Sequence, residues 1–349
     1  MSQATNTLKH FEKIDKVPSR IFYHYTSLDA LYSIIQTRTF RLMSLQSSND
    51  RTELSYSAEN FIADYVEVCD DILEQSEEES VKIFAQTTKA KVQREEKGIK
   101  KEFSKNKCQP YALCLSRKKD NLTHWDRYAD QCKGVCIGIN ISAIDVFAKR
   151  FGFDDLADFL FDTDIISYSH EENKKRILLS MMRVFDVYYN YWGQQDIDKM
   201  IKIIEEDTSH MMASTGNRIV RFIKNSSFLD EDEVRLYHNS YSISDWFDIL
   251  YSFTNPDLDE DTISAAELDI QNYNEFLDKM DIRQEKFAMT RTGIRGYRNM
   301  CLSEVWGAGV IPEIILGPMC IQNRQELNRF LHSNGLHNTK VSISKVPIR

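Results

Sequence analysis

No stretch of this 349-residue chain stays apolar for anything near the roughly 20 residues that a membrane span needs, and no N-terminal window joins a basic flank to an apolar core. A cytoplasmic protein without membrane contact is therefore expected. The seven cysteines are odd in number, scattered and without a C-x-x-C pair, so neither a disulfide framework nor a structural zinc site is signalled. The histidines form no H-E-x-x-H or H-x-x-x-H pair, and no G-x-S-x-G elbow is present. Gly134 and Gly138 sit inside an apolar strand and do not make a phosphate-cradling loop. Positive charge is also in deficit: the net charge of −9 argues against indiscriminate nucleic-acid binding, which draws most of its affinity from phosphate neutralisation. Internal repeats, low-complexity tracts and Gly/Ser linkers are lacking too.

What remains is a globular chain, 42% hydrophobic, long enough to bury a large core. Residues 1–19 read as a polar lead-in and 20–349 as one elaborated domain. Strand patterns fall at Ile21–Tyr25, with a turn at Thr26 and Ser27, and at Thr39–Leu45, Tyr111–Ser116, Gly134–Ile139, Asp164–Tyr168, Glu233–Tyr237, Lys286–Thr290, Val310–Leu316 and Lys340–Val346. Helical patterns fall after Ser27, across 54–107 as one long or two paired helices, at Asn121–Ala129 and Ser142–Arg150, as a pair over 171–225, and at Arg324–Ser333. Met181, Met182, Trp192, Met211 and Met212 are expected in the core of that pair. Residues 239–281 are polar and acidic and read as an insertion or flap. Strands dispersed among unequal helical insertions predict an α+β domain. The basic run from Lys89 to Lys107 and the Arg291, Arg295, Arg298 cluster fit either solvated faces or a polyanion contact.

Four polar and aromatic clusters stand at strand ends. In the first, His24-Tyr25-Thr26, alternation puts Phe22, His24 and Thr26 on one face and Tyr23 and Tyr25 on the other. Leu28, Leu31, Ile34 and Ile35 then form an apolar helix stripe, with Thr26 and Asp29 spaced like a capping box. A strand running into a helix N-terminus leaves N–H groups for an anion beside an imidazole, from Ser27 onward, although a lone histidine there also suits a core. The second cluster, Asn49-Asp50-x-x-Glu53, is a helix cap or a ligand site. The third is Ser116-x-x-x-Asp120-x-x-x-x-Trp125-x-x-Tyr128, whose aromatics share a helix face and would serve as core or as a wall for a flat ring. In the fourth, Glu231-x-Glu233-x-Arg235, strand alternation would put all three on one face, either exposed or with shifted pKa values if buried.

In this order, HYTSLDALYSII, NDRTE, LCLSRKKDNLTHWDRYAD, KGVCIGIN, FIKNSSFLDEDEVRL and IPEIILGP resemble the bacterial DUF2971-type family of unknown function, from about Arg20 to Pro318. The front end is also similar to the start of DarT-type ADP-ribosyltransferases. That resemblance implies an ADP-ribosyltransferase-like split, mixed or antiparallel sheet core with NAD as substrate. It further implies His24 as ribose ligand with Thr26 beside it, and Glu233 as the carboxylate that orients the reacting ribose. Tyr25, Ser27, Asn49, Asp50, Glu53, Ser116, Trp125, Tyr128 and Arg235 complete the implied nucleotide site. No DarT-type arginine is matched, and a long stretch separates Leu236 from Ile311 where a short connection is implied. The function expected is a toxin or antiviral defence effector that transfers ADP-ribose to a nucleic-acid or protein acceptor, or hydrolyses NAD, with an antitoxin or defence partner. The alternatives are a non-catalytic nucleotide sensor, and a magnesium-dependent nuclease or phosphodiesterase using Asp50, Glu53, Asp120 and Glu233.

Overall fold

The computed structural model describes residues 21–45, 53–105, 111–144, 161–190, 196–238, 271–272, 274–290 and 293–347. The chain divides into a sheet unit, drawn from Ser19–Ser48, Cys108–Ile165 and Asp230–Arg349, and a helical unit built from Asn49–Lys107 and Ile166–Leu229. The helical unit collects the first two expected insertions. The third insertion falls mostly on 239–270, outside the described residues.

The sheet unit holds strands β1 (Ile21–Thr26), β2 (Thr39–Ser44), β3 (Tyr111–Ser116), β4 (Val135–Asn140), β5 (Phe161–Ile165), β6 (Glu233–His238), β7 (Lys286–Thr290), β8 (Gly293–Cys301), β9 (Glu313–Leu316) and β10 (Lys340–Ile343). Their order is β10-β9-β4-β1-β3-β2-β8-β7, with β6 joining β3 to β5. Pairing is antiparallel except between β9 and β10, so the fold is α+β around an open mixed sheet. Helix α1 (Leu28–Thr37) buries Leu31, Ile34 and Ile35 as its periodicity requires. Its cap is Ser27, whose Oγ accepts from the Ala30 N–H at 3.2 Å, and not the expected Thr26. Helices α4 (Leu122–Tyr128) and α7 (Arg324–Ser333) belong to the same unit; between them in the sequence, 141–144 is helical and the rest of the expected Ser142–Arg150 helix lies outside the described residues.

One topological detail shapes everything nearby. A strand has two edges, and β6 pairs with all six residues of β3 along one of them. On the other edge β1 pairs only at Ser116 and β2 only at Tyr111 and Ala112. The sheet therefore forks there, with β1 and β2 leaving β3 at opposite ends.

In the helical unit the run over 54–107 resolves into two helices, α2 (Glu53–Gln75) and α3 (Glu79–Lys105), and α5 (His170–Tyr188) and α6 (Ile197–Val220) follow. Met181 and Met182 are buried as expected; Trp192 and the Met211 and Met212 side chains lie outside the described residues. Within the basic run, Lys91 is buried with its Nζ on the Glu205 carbonyl, Lys89 pairs with Asp70, and Lys100 pairs with Glu96 at 2.6 Å. Several strands are shifted from expectation: β5 ends at Ile165, β9 begins at Glu313 and β10 stops at Ile343. The nine-residue β8 was missed altogether, because Gly293, Gly296, Arg295 and Arg298 mask its alternation.

Candidate functional site

A cavity of about 860 Å³ opens at the fork. One side of α1 walls it through Ser27, Ala30, Ser33, Ile34 and Thr37, while His24 and Thr26 come from β1 and Thr39, Phe40, Arg41 and Met43 from β2. The β7–β8 hairpin adds Met289, Thr290, Tyr297 and Asn299, and the far end is closed by α4 and the turn after it, through Asp126, Arg127, Tyr128, Asp130 and Gln131. The lining mixes short polar side chains with aromatic, aliphatic and two arginine side chains. Such a volume falls within the range of pockets that hold small molecules.

His24 stands at the throat of the fork. Its Nδ1 lies 3.1 Å from the carbonyl of Cys114, on the edge of β3 between the two diverging strands, and its ring meets Phe40 edge-on. A donating Nδ1–H fixes the tautomer with Nε2 as an acceptor. Burial lowers the imidazole pKa against the opposing effect of the Cys114 carbonyl, so the ring is neutral at physiological pH. Arg41 stacks over Tyr297 at 4.7 Å on the β2–β8 side.

The third and fourth sequence clusters meet at the other end. Tyr128 is exposed on the cavity side, and its hydroxyl donates to the carboxylate of buried Glu231. Arg127 Nη1 reaches the same carboxylate oxygen at 4.0 Å. The Glu231 carbonyl is held by Ser116 Oγ at 3.0 Å and by His124 Nε2 at 2.8 Å. Asn121, the α4 cap, accepts from the His124 N–H. Thus Ser116 lies behind the cavity and positions Glu231.

The expected single face for Glu231, Glu233 and Arg235 is corrected by Asp232. With φ at +44°, this residue breaks the alternation. Glu231 ends a 3-10 turn, Ser226–Glu231, while Glu233 and Arg235 share a face of β6 and pair with each other. Arg235 Nε donates to Glu233 Oε1 at 2.8 Å and Nη2 to Oε2 at 3.3 Å, with both residues under 5% exposed. Neither lines the cavity.

Tyr25, Glu53, Asp120 and Trp125 do not line the cavity. Trp125 is fully buried and donates its indole N–H to Asp120 at 2.6 Å; Asp120 also receives Ser344 Oγ and the Lys345 N–H. Burial alone would raise the Asp120 pKa, but these donors together hold it below the usual carboxylate range. Tyr25 packs edge-on against Trp125 and donates to the Lys118 carbonyl at 2.7 Å. Asn49 and Asp50 lie outside the described residues, and Glu53 is buried at the start of α2 in the helical unit. Arg41, Ser33, Arg127, Gln131, Tyr297 and Asn299 were not anticipated; two of them lie on the unrecognised β8.

The turn behind α4 carries strain. Asp130, Gln131 and Cys132 adopt φ of +49°, +53° and +71° in succession, a left-handed run that costs non-glycine residues on the order of 1–2 kcal/mol each. Close backbone approach holds it: a Cβ on Gly134 would lie 2.1 Å from the Thr26 carbonyl oxygen, and one on Gly317 would lie 2.4 Å from that of Cys132. The strained run places Asp130 and Gln131 on the cavity rim.

Residues 124–236 match the family described as "Protein of unknown function (DUF2971)", which bears out the resemblance to that family; the matched span includes Tyr128, Glu231, Glu233 and Arg235. No curated protein and no solved structure matches.

Proposed function

We propose that this chain, a DUF2971-type protein through residues 124–236, is an ADP-ribosyltransferase-like effector that binds NAD in the fork of its sheet and cleaves the nicotinamide–ribose bond. The observation that carries the reading is the fork itself. Two diverging strands, β1 and β2, flank an 860 Å³ cavity with a neutral histidine at the throat, a shape suited to a long nucleotide with a ribose near its middle. His24 Nε2 would accept from a ribose hydroxyl, and the ring of Tyr128 or Tyr297 would stack on nicotinamide.

Bond cleavage leaves positive charge on the ribose, and nicotinamide departs with the bonding electron pair. A carboxylate behind the ribose lowers that barrier. In this reading the role passes from Glu233, tied to Arg235, to Glu231, whose charge reaches the cavity through the Tyr128 hydroxyl. The acceptor is a nucleophile on a nucleic acid or protein, or water; its attack at the same ribose carbon releases one proton. A toxin or antiviral role with an antitoxin or defence partner accords with such chemistry.

Following nicotinamide release from NAD, with and without added nucleic acid or protein, tests the proposal. Turnover lost in His24→Ala and Glu231→Gln supports it; absence of turnover with every acceptor refutes the enzyme. One observation favours the second reading, a nucleotide sensor: Glu231 does not itself line the cavity and stands behind Tyr128 and Arg127. Thermal stabilisation by NAD without nicotinamide release would identify it. The magnesium reading gains no support, because Asp120 and Glu233 are each bound by separate internal donors.

A further inference from the structure

Among the described residues, one outer edge of the sheet is unguarded. The path of strands ends in β10 on one side and β7 on the other, with β5 outside β6. Strand β10 has only four residues and opens on Lys340, and β5 carries Asp162 and Asp164; shortness and charge both keep an edge from pairing with a foreign strand. Strand β7, Lys286-Phe287-Ala288-Met289-Thr290, has neither a proline nor a bulge. Its single charge is already met by Asp281, whose Oδ2 lies 2.5 Å from Lys286 Nζ.

The β7–β8 register puts Phe287, Met289 and Ile294 on one face of the hairpin, with Met289 opposite Ile294 and Phe287 opposite Gly296. All three are open to solvent, 64%, 77% and 69% exposed. On the same face of the neighbouring β8–β2 pair, Met300, Phe40 and Leu42 are fully buried, so the apolar face of the sheet runs past the core and is left uncovered at its edge. With about 200 Å² for each large apolar side chain, roughly 400 Å² is open in one copy, the patch size that marks association. Because the charge on β7 is met, this edge selects for apolar surface and open backbone, and a second copy brings both. An antiparallel pair centred on Ala288 sets Phe287 opposite the partner's Met289 and Lys286 opposite the partner's Thr290, so no like charges meet and two sulfur–aromatic contacts form. Pairing covers roughly 800 Å² of apolar surface before backbone is counted, the scale of a weak, reversible dimer.

We propose that two copies of this chain associate through their β7 edges, antiparallel about Ala288, into one sheet continuous across the pair. Sedimentation velocity of the full-length protein across micromolar concentrations tests it, together with oxidative crosslinking of single-cysteine variants. A monomer–dimer equilibrium in the micromolar range is expected. The double variant Phe287→Glu, Met289→Glu sets like charges opposite each other twice across the axis and should weaken the dimer about tenfold or more; both positions are exposed, so its melting curve should match the parent's. Ala288→Cys meets itself at the two-fold axis and should give a disulfide-linked dimer, while Ser342→Cys, on β10 at the opposite end of the sheet, should crosslink no more than the parent with its native cysteines. A parent that stays monomeric throughout, a double variant that dimerises as the parent does, or linkage through Ser342→Cys in place of Ala288→Cys overturns the proposal.

Discussion

Replacing Glu233 by Gln separates a structural carboxylate from a catalytic one. The Glu233–Arg235 pair lies on β6 with both side chains almost fully excluded from water, and two guanidinium nitrogens point at the two carboxylate oxygens. Gln keeps one acceptor and removes the charge that Glu233 sets against the buried guanidinium. Removing one partner of a buried pair costs about 3–5 kcal/mol, a large share of the 5–15 kcal/mol typical of a folded protein. At about 2–4 °C per kcal/mol, the melting temperature should fall by about 10 °C. The double variant Glu233→Met, Arg235→Leu should recover most of that loss, because a well-packed apolar pair carries no desolvation cost. Glu231→Gln should cost only about 1 kcal/mol, since an amide oxygen still accepts from the Tyr128 hydroxyl. Thermal melts of the four proteins, beside nicotinamide release by each, check the reasoning. A Glu233→Gln protein that melts like the parent yet releases no nicotinamide, while Glu231→Gln stays active, would refute it and return the reacting role to Glu233.

Three further expectations follow from the same geometry. Gln131→Gly should relieve a left-handed Cβ conflict and raise stability by up to about 1 kcal/mol, read as a shift in urea midpoint, while weakening protection by NAD. Ser33→Trp, on the exposed cavity side of α1, should leave the melting temperature unchanged and remove stabilisation by NAD. Two histidines should give opposite pH dependences. The folded pKa of His24 is below its ordinary 6.5 through burial, so the unfolded chain binds the extra proton. Its contribution is complete above pH 6.5 and falls as pH drops toward the folded value, with a slope of at most about 1.4 kcal/mol per pH unit. The hydrogen bond and charge of Asp64 raise the His170 pKa; that contribution is complete below pH 6.5 and fades as pH rises through the folded value. Urea midpoints from pH 5 to 8 should show a flatter acid limb in His24→Gln and a flatter alkaline limb in His170→Gln.

The elements that could be read from the sequence were those whose residues obey one period. Tyr111–Ser116 and Lys286–Thr290 were placed at their observed ends, and α7 likewise, because apolar spacing and the caps coincide there. Strand β8 was not legible: Gly293 serves the hairpin turn, Gly296 a close approach to Glu285, and Tyr297 and Asn299 the cavity wall, and such tertiary context overrides strand propensity. The two-edge conflict on β3 was also hidden, since which strands compete for an edge depends on pairings across nearly the whole chain.

The candidate site shows the same division. His24 and Thr26 were found from β1 alone, because alternation over six residues determines which side chains share a face. The same rule failed at Glu231 through one residue, Asp232, whose positive φ rotates everything before it off the face of β6. That rotation brings Glu231 under Tyr128 and leaves Glu233 to Arg235. In the E-x-E-x-R string the two glutamates are alike in type and in their even spacing from the arginine; only the backbone between them distinguishes a carboxylate that supports the cavity from one that neutralises the core. A substitution at Asp232 is therefore the sharpest probe of that distinction. Asp232→Gly keeps the left-handed geometry at no steric cost, so the Tyr128–Glu231 contact should survive, whereas Asp232→Val opposes it and should uncouple Glu231 from Tyr128.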